Sequence, residues 1–400
     1  MEKQGDSTES IRKIDFDDTS IAFAHKSNLS LKKTYLLFST MNKPTLVKLG
    51  TSLITLSLKL HLPVKKLIKK TLFNQFCGGE NIEDCNKTMN DLAVQGVGTI
   101  LDYAVEGATT ENGFNTTEKE TIDNILKAKD SKEIPFCVFK PTGLGPNKVL
   151  EKLHLNKELS KDEQAAYDRM FNRFKNICDT AYRHQVRVFI DAEESWLQNP
   201  LDEIVYQMME LYNRENIIVY NTYQLYCKNK LDKLKQANDD ALAKGYKLGA
   251  KLVRGAYMEK ERERAQKLDY EDPIQPDKKA TDADFDKAIL YCMENVGQIA
   301  FCCGTHNENS SYYLLNLIDQ FDKTASDPNI FFAQLYGMSD HISFNLSNAG
   351  FNVAKYVPYG PVEAVLPYLF RRAEENTSIS GQSSREYKLL KKEISRRNTL

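Results

Sequence analysis

The residues best able to do chemistry stand near the end of the chain. Tyr368, Arg371, Arg372 and Glu375 fall at positions 0, 3, 4 and 7 of a helical period, so two guanidiniums and a carboxylate share one stripe. A guanidinium presents a planar fork of donors that matches a carboxylate or a phosphate, and two side by side make an anion clamp. The same residues also suit a plainer arrangement, a solvated face with Arg371 and Glu375 paired one turn apart. Beside this stripe Val362, Val365, Leu366, Leu369 and Ala373 form an apolar arc that must pack.

A second set of reactive types recurs at the ends of short apolar runs. Lys140 closes one in Phe139-Lys140-Pro141-Thr142-Gly143, Asp191 the next in Ile190-Asp191-Ala192-Glu193-Glu194, and Gln224 the one after. Then come Lys251, Arg254, Gly255, Ala256, Tyr257 and Met258 in one segment. Thr305, His306 and Asn307 follow Gly304, Gln334 and Leu335 precede Tyr336, and Tyr356 lies just upstream of the arginine helix. Scattered loop polarity would not place such groups at the same end of successive elements. Taken singly, each has a structural explanation. Lys140 can snorkel, Asp191 can cap the next turn, His306 can be an ordered core imidazole, Gly255 and Gly304 can serve turns, and Tyr257 and Tyr356 can fill a core. With six histidines and no HxH or HExxH spacing, no metal site is expected.

The elements that hold these groups read as a repeat of strand then helix. Strands are expected at 98–104, 136–140, 187–191, 217–222, 247–253, 298–303, 330–335 and 352–357. Helical periodicity fills 118–129, 161–182, 201–212, 225–243, 281–295 and 309–321, with a short helix at 338–348. In the last strand Val353, Lys355 and Val357 alternate with Ala354 and Tyr356; Pro358 and Gly360 then break the run, and Pro361 opens the arginine helix as its first residue. Eight such units predict an α/β fold, a distorted (β/α)8 TIM-type barrel with N-terminal and inserted helices, whose site lies at the C-terminal strand ends. A doubly wound open sheet is the second architecture, but no glycine-rich dinucleotide fingerprint follows the first strand. Residues 1–90 are expected to form a helical lead-in and arm, 91–380 the barrel, and 381–400 a tail or helix.

Composition narrows the partners. A net charge of -1 with 27% charged residues gives no basic footprint for nucleic acid. Eight cysteines, with Cys302 and Cys303 adjacent and no CxxC pair, indicate neither a zinc module nor a disulfide scaffold, and fit a reducing compartment. Glu2, Asp6, Glu9, Asp15, Asp17 and Asp18 oppose the basic, acid-poor pattern of a targeting segment. The apolar run 46–62 is short for a membrane span and contains Lys48, Lys59 and His61. A helical lead-in over 43–76 places Lys65, Lys66, Lys69 and Lys70 beside Leu62, Val64, Leu67, Ile68 and Leu72. That segment can touch an anionic membrane surface, or pack on the domain with its lysines in water.

These segments, in order and placement, resemble the proline dehydrogenase family, most nearly its eukaryotic mitochondrial type. The resemblance rests on FCGGE at Phe76, FKPTGLG at Phe139, IDAEES at Ile190, KLVRGAYMEKERERAQ at Lys251, GTHNENS at Gly304, AQLYGM at Ala333 and KYVPYGPVEAVLPYLFRRAEEN at Lys355. It implies a barrel that binds FAD without a covalent bond and oxidises L-proline or a related cyclic imino acid to Δ1-pyrroline-5-carboxylate. Electrons would pass to ubiquinone at the matrix side of the mitochondrial inner membrane. By the same resemblance Arg371, Arg372 and Lys140 hold the substrate carboxylate and Glu375 orients the cations. Tyr257, Tyr356 and Leu335 surround the substrate, and Asp191 bridges substrate and flavin. Gln224, Lys251, Arg254, Gly255, Ala256 and Met258 take flavin-contacting roles, as do Thr305, His306, Asn307 and Gln334. Lys251 departs from the arginine of bacterial relatives, keeping a cation but not the planar fork.

Three alternatives stay open. A hydroxylated ring is a second substrate, since one pocket wall decides such specificity. A Schiff-base lyase with Lys140 or Lys251 as nucleophile would also use a barrel with a lysine at a strand end. A non-catalytic barrel acting as a partner protein would fold alike and bind no flavin.

Overall fold

The computed structural model describes residues 14–60, 63–105, 108–378 and 382–399. Eight parallel strands close one barrel in sequence order: β1 (Gly98–Tyr103), β2 (Phe136–Phe139), β3 (Val188–Ile190), β4 (Val219–Gln224), β5 (Leu248–Val253), β6 (Ile299–Gly304), β7 (Ile330–Leu335) and β8 (Val353–Tyr359). The expected barrel is therefore the observed one, and the open sheet is excluded. Helices of eight residues or more are numbered in chain order. Ahead of the barrel and after β1 they are α1 (Asn28–Met41), α2 (Pro44–Lys59), α3 (Asn86–Ala93) and α4 (Glu111–Ala128). Then follow α5 (Asn147–His154), α6 (Lys161–His184), α7 (Ser195–Tyr212), α8 (Lys230–Lys244), α9 (Met258–Leu268) and α10 (Lys278–Glu294). The last are α11 (Glu308–Gln320), α12 (Asp340–Asn348), α13 (Leu366–Ser378) and α14 (Gln382–Asn398).

Several boundaries differ from expectation for identifiable reasons. β4 starts at Val219 rather than at residue 217, because the Asn213 side chain accepts from the Ile218 and Val219 N–H groups at 3.0 and 2.9 Å. β8 runs on through Pro358, whose carbonyl accepts from the Gly78 N–H at 2.8 Å. Pro361 opens only a turn, its carbonyl taken by Ala364 N–H at 2.8 Å, and the regular helix begins at Leu366. Helix α9 has no expected counterpart, since it buries only Glu261 and Ala265 and so carries no apolar stripe.

By contacts the chain divides into residues 108–333 and, separately, residues 14–105 with 334–399. In the first unit the barrel interior is filled at its N-terminal end. Phe136 stacks on Phe189 at 4.2 Å and meets Tyr220 and Phe331 edge-on, with the Arg187 guanidinium 5.4 Å from Phe136 and 5.3 Å from Phe331. Gly249 makes room for this layer, because a Cβ there would stand 2.7 Å from the Tyr220 ring. An aromatic plug at the strand starts leaves the strand ends for chemistry.

In the second unit β1 and β8 pair from Gly98 against Ala354 to Tyr103 against Tyr359. The expected apolar arc packs as expected: Val362, Val365, Leu366, Leu369 and Ala373 are buried in one core with Phe38, Phe73 and Phe76. Strand parity sends Tyr356 and Lys355 to opposite faces. Lys355 is buried against α12, its ammonium 3.0 Å from Asp340 and donating to the Met338 carbonyl at 2.7 Å, while Lys26 reaches Asp340 at 3.3 Å. Burial alone would raise the Asp340 acid, yet Lys355, Lys26 and His25 outweigh it and hold the group well below the carboxylate range.

The lead-in is not one helix. After α2 come a turn of α-helix at Lys65–Ile68, a π-helical turn at Lys69–Phe73 and a last turn at Asn74–Phe76, with Ile68, Phe73 and Phe76 buried. Leu62 lies outside the described residues. Helix α2 faces the core through Val47 and Ile54, whereas Leu46, Leu49, Leu53, Leu56 and Leu60 stand 46–61% exposed at alternating spacings of three and four. Among the described residues no helix is long and apolar enough to cross a membrane.

Candidate active site

In the first unit three charges meet at the strand ends. Lys251, buried in mid-strand on β5, pairs with one oxygen of Asp191, and its ammonium stands 5.4 Å above the Phe189 ring. The Lys140 ammonium lies 4.0 Å from the other oxygen of Asp191. The Asp191 carboxylate thus bridges two lysines, one just past β2 and one on β5, instead of capping the next turn, and its own N–H donates to the Phe139 carbonyl at 3.1 Å, which fixes the end of β3 to that of β2.

Beyond Asp191 the chain buries Glu193. The Thr142 hydroxyl donates to one Glu193 oxygen at 2.8 Å and the Tyr257 hydroxyl approaches the other at 3.5 Å. Burial, then the charge of Glu194, push the Glu193 acid up to about 7. Gln224 donates its side-chain N–H to the Glu193 carbonyl at 2.7 Å, tying β4 to the same loop.

Arg254 is engaged on three sides: Nε meets Asp282 at 2.8 Å, one terminal nitrogen donates to Thr305 at 2.7 Å and the other to Ser310 at 2.9 Å, over the Phe285 ring. Thr305 is buried, and its hydroxyl also accepts from the Asn307 N–H at 3.1 Å. Asn307 caps α11 by accepting from Asn309 and Ser310 N–H groups, with half-buried His306 between the two. Gly255 adopts φ +136, and a Cβ there would strike the Tyr226 ring at 2.4 Å, so only glycine fits. Ala256 and Met258 are exposed, and half-buried Tyr257 is the N-cap of α9.

In the second unit Gln334 is buried and accepts from the Ser343 hydroxyl at 2.8 Å; Leu335 is half-buried beside it. Tyr356 is buried, and its carbonyl accepts from the Tyr336 N–H at 2.8 Å. On α13 Arg372 is 7% exposed with its guanidinium 5.1 Å from the Tyr368 ring, and Arg371 next to it is half-buried. With Tyr368 and Arg372 buried, the stripe is not a solvated face. The side chain of Glu375 lies outside the described residues.

Two residues beside these groups, Glu193 and Tyr368, carry no site role in the sequence reading. Tyr368 was visible as the first member of the arginine stripe. Glu193 had a weaker signal, an acidic pair following Asp191 at a strand end. Among the described residues no cluster of His, Cys, Asp or Glu could hold a metal ion.

The family model for proline dehydrogenase matches residues 85–385. Proline dehydrogenase 1, mitochondrial, of Dictyostelium discoideum is 33% identical over 431 residues, covering 96% of this chain and 75% of that protein. Hydroxyproline dehydrogenase of Xenopus laevis is 29% identical, covering 96% of this chain and 90% of that one. Among solved structures, proline utilization A (PutA) from Bdellovibrio bacteriovorus, inactivated by N-propargylglycine, has the same fold with a TM-score of 0.73 at 16% identity. It matches 96% of this chain, which spans 42% of that longer one. On the family match and the 33% identity to a relative covered over 75% of its length, this chain belongs to the proline dehydrogenase family of oxidoreductases.

Proposed function

We propose that the chain oxidises L-proline to Δ1-pyrroline-5-carboxylate, with FAD as hydride acceptor and a membrane quinone, ubiquinone, as the next electron carrier, in the mitochondrion. The observation that carries this reading is the charged cluster of Lys251, Asp191 and Lys140 at the strand ends of a family member. The donor set suits FAD. Gly255 is a backbone position that no side chain can enter, and the Thr305, His306 and Asn307 segment offers hydroxyl, imidazole and amide groups to an anionic, carbonyl-bearing molecule. Lys251 would lie at the ring, Gln224, Ala256, Met258 and Gln334 would complete the contacts, and Arg254 would act by fixing Thr305. When bound, FAD supplies the redox step, accepting the hydride.

The protein's share is placement and charge. Arg371 and Arg372, with Lys140, grip the substrate carboxylate, and Glu375 orients them; gripping one end of a five-membered ring fixes the direction of the carbon next to nitrogen. That carbon loses its hydrogen with the bonding pair while the nitrogen lone pair closes the C=N bond, so the free amine form reacts and the N–H proton leaves to solvent. Asp191 holds Lys251 where it can offset negative charge gained by the acceptor. Tyr257, Tyr356 and Leu335 form walls that exclude water.

A peripheral membrane surface is the further partner. Residues 19–79 contain ten lysines and no acidic residue, and α2 within them turns four leucines outward, with Leu60 exposed just past its end. These features favour α2 over the 62–72 segment as the contact. A hydroxylated ring is the second reading, favoured by the near full-length match to hydroxyproline dehydrogenase.

An absorption spectrum with a turnover assay tests the proposal. The protein should be yellow, release intact FAD on denaturation, and be bleached by proline faster than by hydroxyproline. A folded, colourless protein that takes up no FAD would overturn it, and trapping by borohydride would point to the lyase.

A further inference from the structure

Four consecutive residues after β3 meet four residues on one face of α9. Glu193 faces Tyr257, Glu194 pairs with Lys260, Ser195 binds Glu261, and Trp196 lies under Arg264 at 4.4 Å. Positions 257, 260, 261 and 264 are spaced 0, 3, 4 and 7, so this is the inner stripe of the helix, and it is polar. An element that buries only Glu261 and Ala265 has almost no hydrophobic hold on the barrel.

The strongest rung is Glu261, which is fully buried. Its two oxygens accept from the Ser195 N–H and hydroxyl, both at 2.6 Å. The N–H is one of the orphan donors in the first turn of α7, so the carboxylate also meets the positive end of that helix. A buried carboxylate is tolerated only while such partners hold it, which makes the bidentate contact specific in position. Tyr257 is the N-cap of α9 and is tied to it by its carbonyl, which accepts from the Glu261 N–H at 2.9 Å, with its ring 5.9 Å from the Lys260 ammonium.

We infer that Glu261 and Ser195 are positioning residues for Tyr257: their bidentate contact pins α9 to the end of β3 and sets where the Tyr257 ring stands against the substrate. The inference rests on the proposed function in giving Tyr257 a place at the substrate ring, and goes beyond it in assigning a task to two residues that touch no substrate.

The test uses the FAD-loaded full chain, proline turnover, binding of cyclopentanecarboxylate, and acrylamide quenching of Trp196, the chain's single tryptophan. Losing a charge-assisted bidentate contact in Glu261→Gln should raise both the proline KM and the cyclopentanecarboxylate Kd about tenfold, with kcat changed less. Quenching of Trp196 should rise, Glu261→Asp should recover part of the affinity, and in a Tyr257→Ala background Glu261→Gln should cost little more, because the shared target is gone. If Glu261→Gln does not fold, Ser195→Ala, which keeps the backbone bond, should show the same pattern at smaller size. Unchanged quenching and KM in a folded Glu261→Gln protein, or a full-sized loss in the Tyr257→Ala background, would overturn the inference while leaving proline oxidation intact. A chain that binds neither proline nor cyclopentanecarboxylate overturns the proposed function, and with it the role of Tyr257, whatever Trp196 reports.

Discussion

Arg372 holds its guanidinium 5.1 Å from the ring of Tyr368, four residues earlier on α13. Cation–π attraction to a ring holds a guanidinium without consuming its N–H donors, so an arginine placed over a ring can still fork onto a carboxylate. Pre-orientation of this kind lowers the entropy lost when the anion arrives.

The proposed clamp therefore has a measurable asymmetry. Arg371→Ala should remove a charge-assisted contact worth roughly 1.5–3 kcal/mol and cost about 10- to 100-fold in kcat/KM, with Tm little changed. Arg372→Ala should cost as much activity and also lower Tm, since it strips packing from a buried ring. Lysine at either position should recover only part. Steady-state kinetics and thermal melts of the four variants check this, and proline turnover like the parent's in both alanine variants would move the carboxylate site elsewhere.

Glu193 predicts a pH dependence of stability. An acid whose folded pKa is raised from 4.5 to about 7 gives the folded state its full advantage below the unfolded value. That advantage is lost as pH rises through about 7. Glu193→Gln should flatten this part of the curve: the Tm difference between parent and variant should shift against the parent as pH goes from 4.5 to 7.5. Parallel Tm curves over that window would show that Glu193 is not held protonated.

The outward leucines of α2 predict lipid binding that depends on both chemistry and charge. Replacing Leu49, Leu53 and Leu56 by Gln should abolish cosedimentation with vesicles containing anionic lipid and leave turnover with a soluble electron acceptor intact. Raising salt should weaken binding by the parent. Equal binding by parent and variant would exclude α2.

The buried pair of Lys355 and Asp340 predicts an unequal double-mutant cycle. Asp340→Ala strands the buried ammonium of Lys355 and takes away the carboxylate that Lys26 also meets, and should destabilise by about 3–5 kcal/mol, read by urea unfolding. Pairing it with Lys355→Met should restore part of that loss, because two apolar groups need no counterion. Additive losses would mean that the two groups do not depend on each other.

How far the sequence could be read depended on whether a signal was local. The alternation in β8 and the arc of Val362, Val365, Leu366, Leu369 and Ala373 are periodic, and both were legible. The start of β4 was not, because it is set by Asn213, whose hydrogen bonds no period reveals. Helix α9 escaped for the opposite reason: its inner stripe is charged, so it reads as a solvated run until Ser195 and Trp196 are seen beneath it. The strand-end lysines could be named from their place in the repeat, but not their sharing of Asp191, a contact between residues 60 apart.

Lys355 and Tyr356 are neighbours with opposite destinations, one locked to Asp340 behind the sheet and the other turned to the barrel interior. A shift of β8 by a single residue would exchange them, burying an ammonium among the interior rings and leaving Asp340 facing an aromatic side chain. The ion pair thus acts as a key for strand alignment, telling the last strand which of two nearly isoenergetic backbone pairings to adopt when it closes the cylinder. Tolerance to point substitution along β8 should accordingly exceed tolerance to any single-residue insertion or deletion between Val353 and Pro358, however conservative the inserted residue.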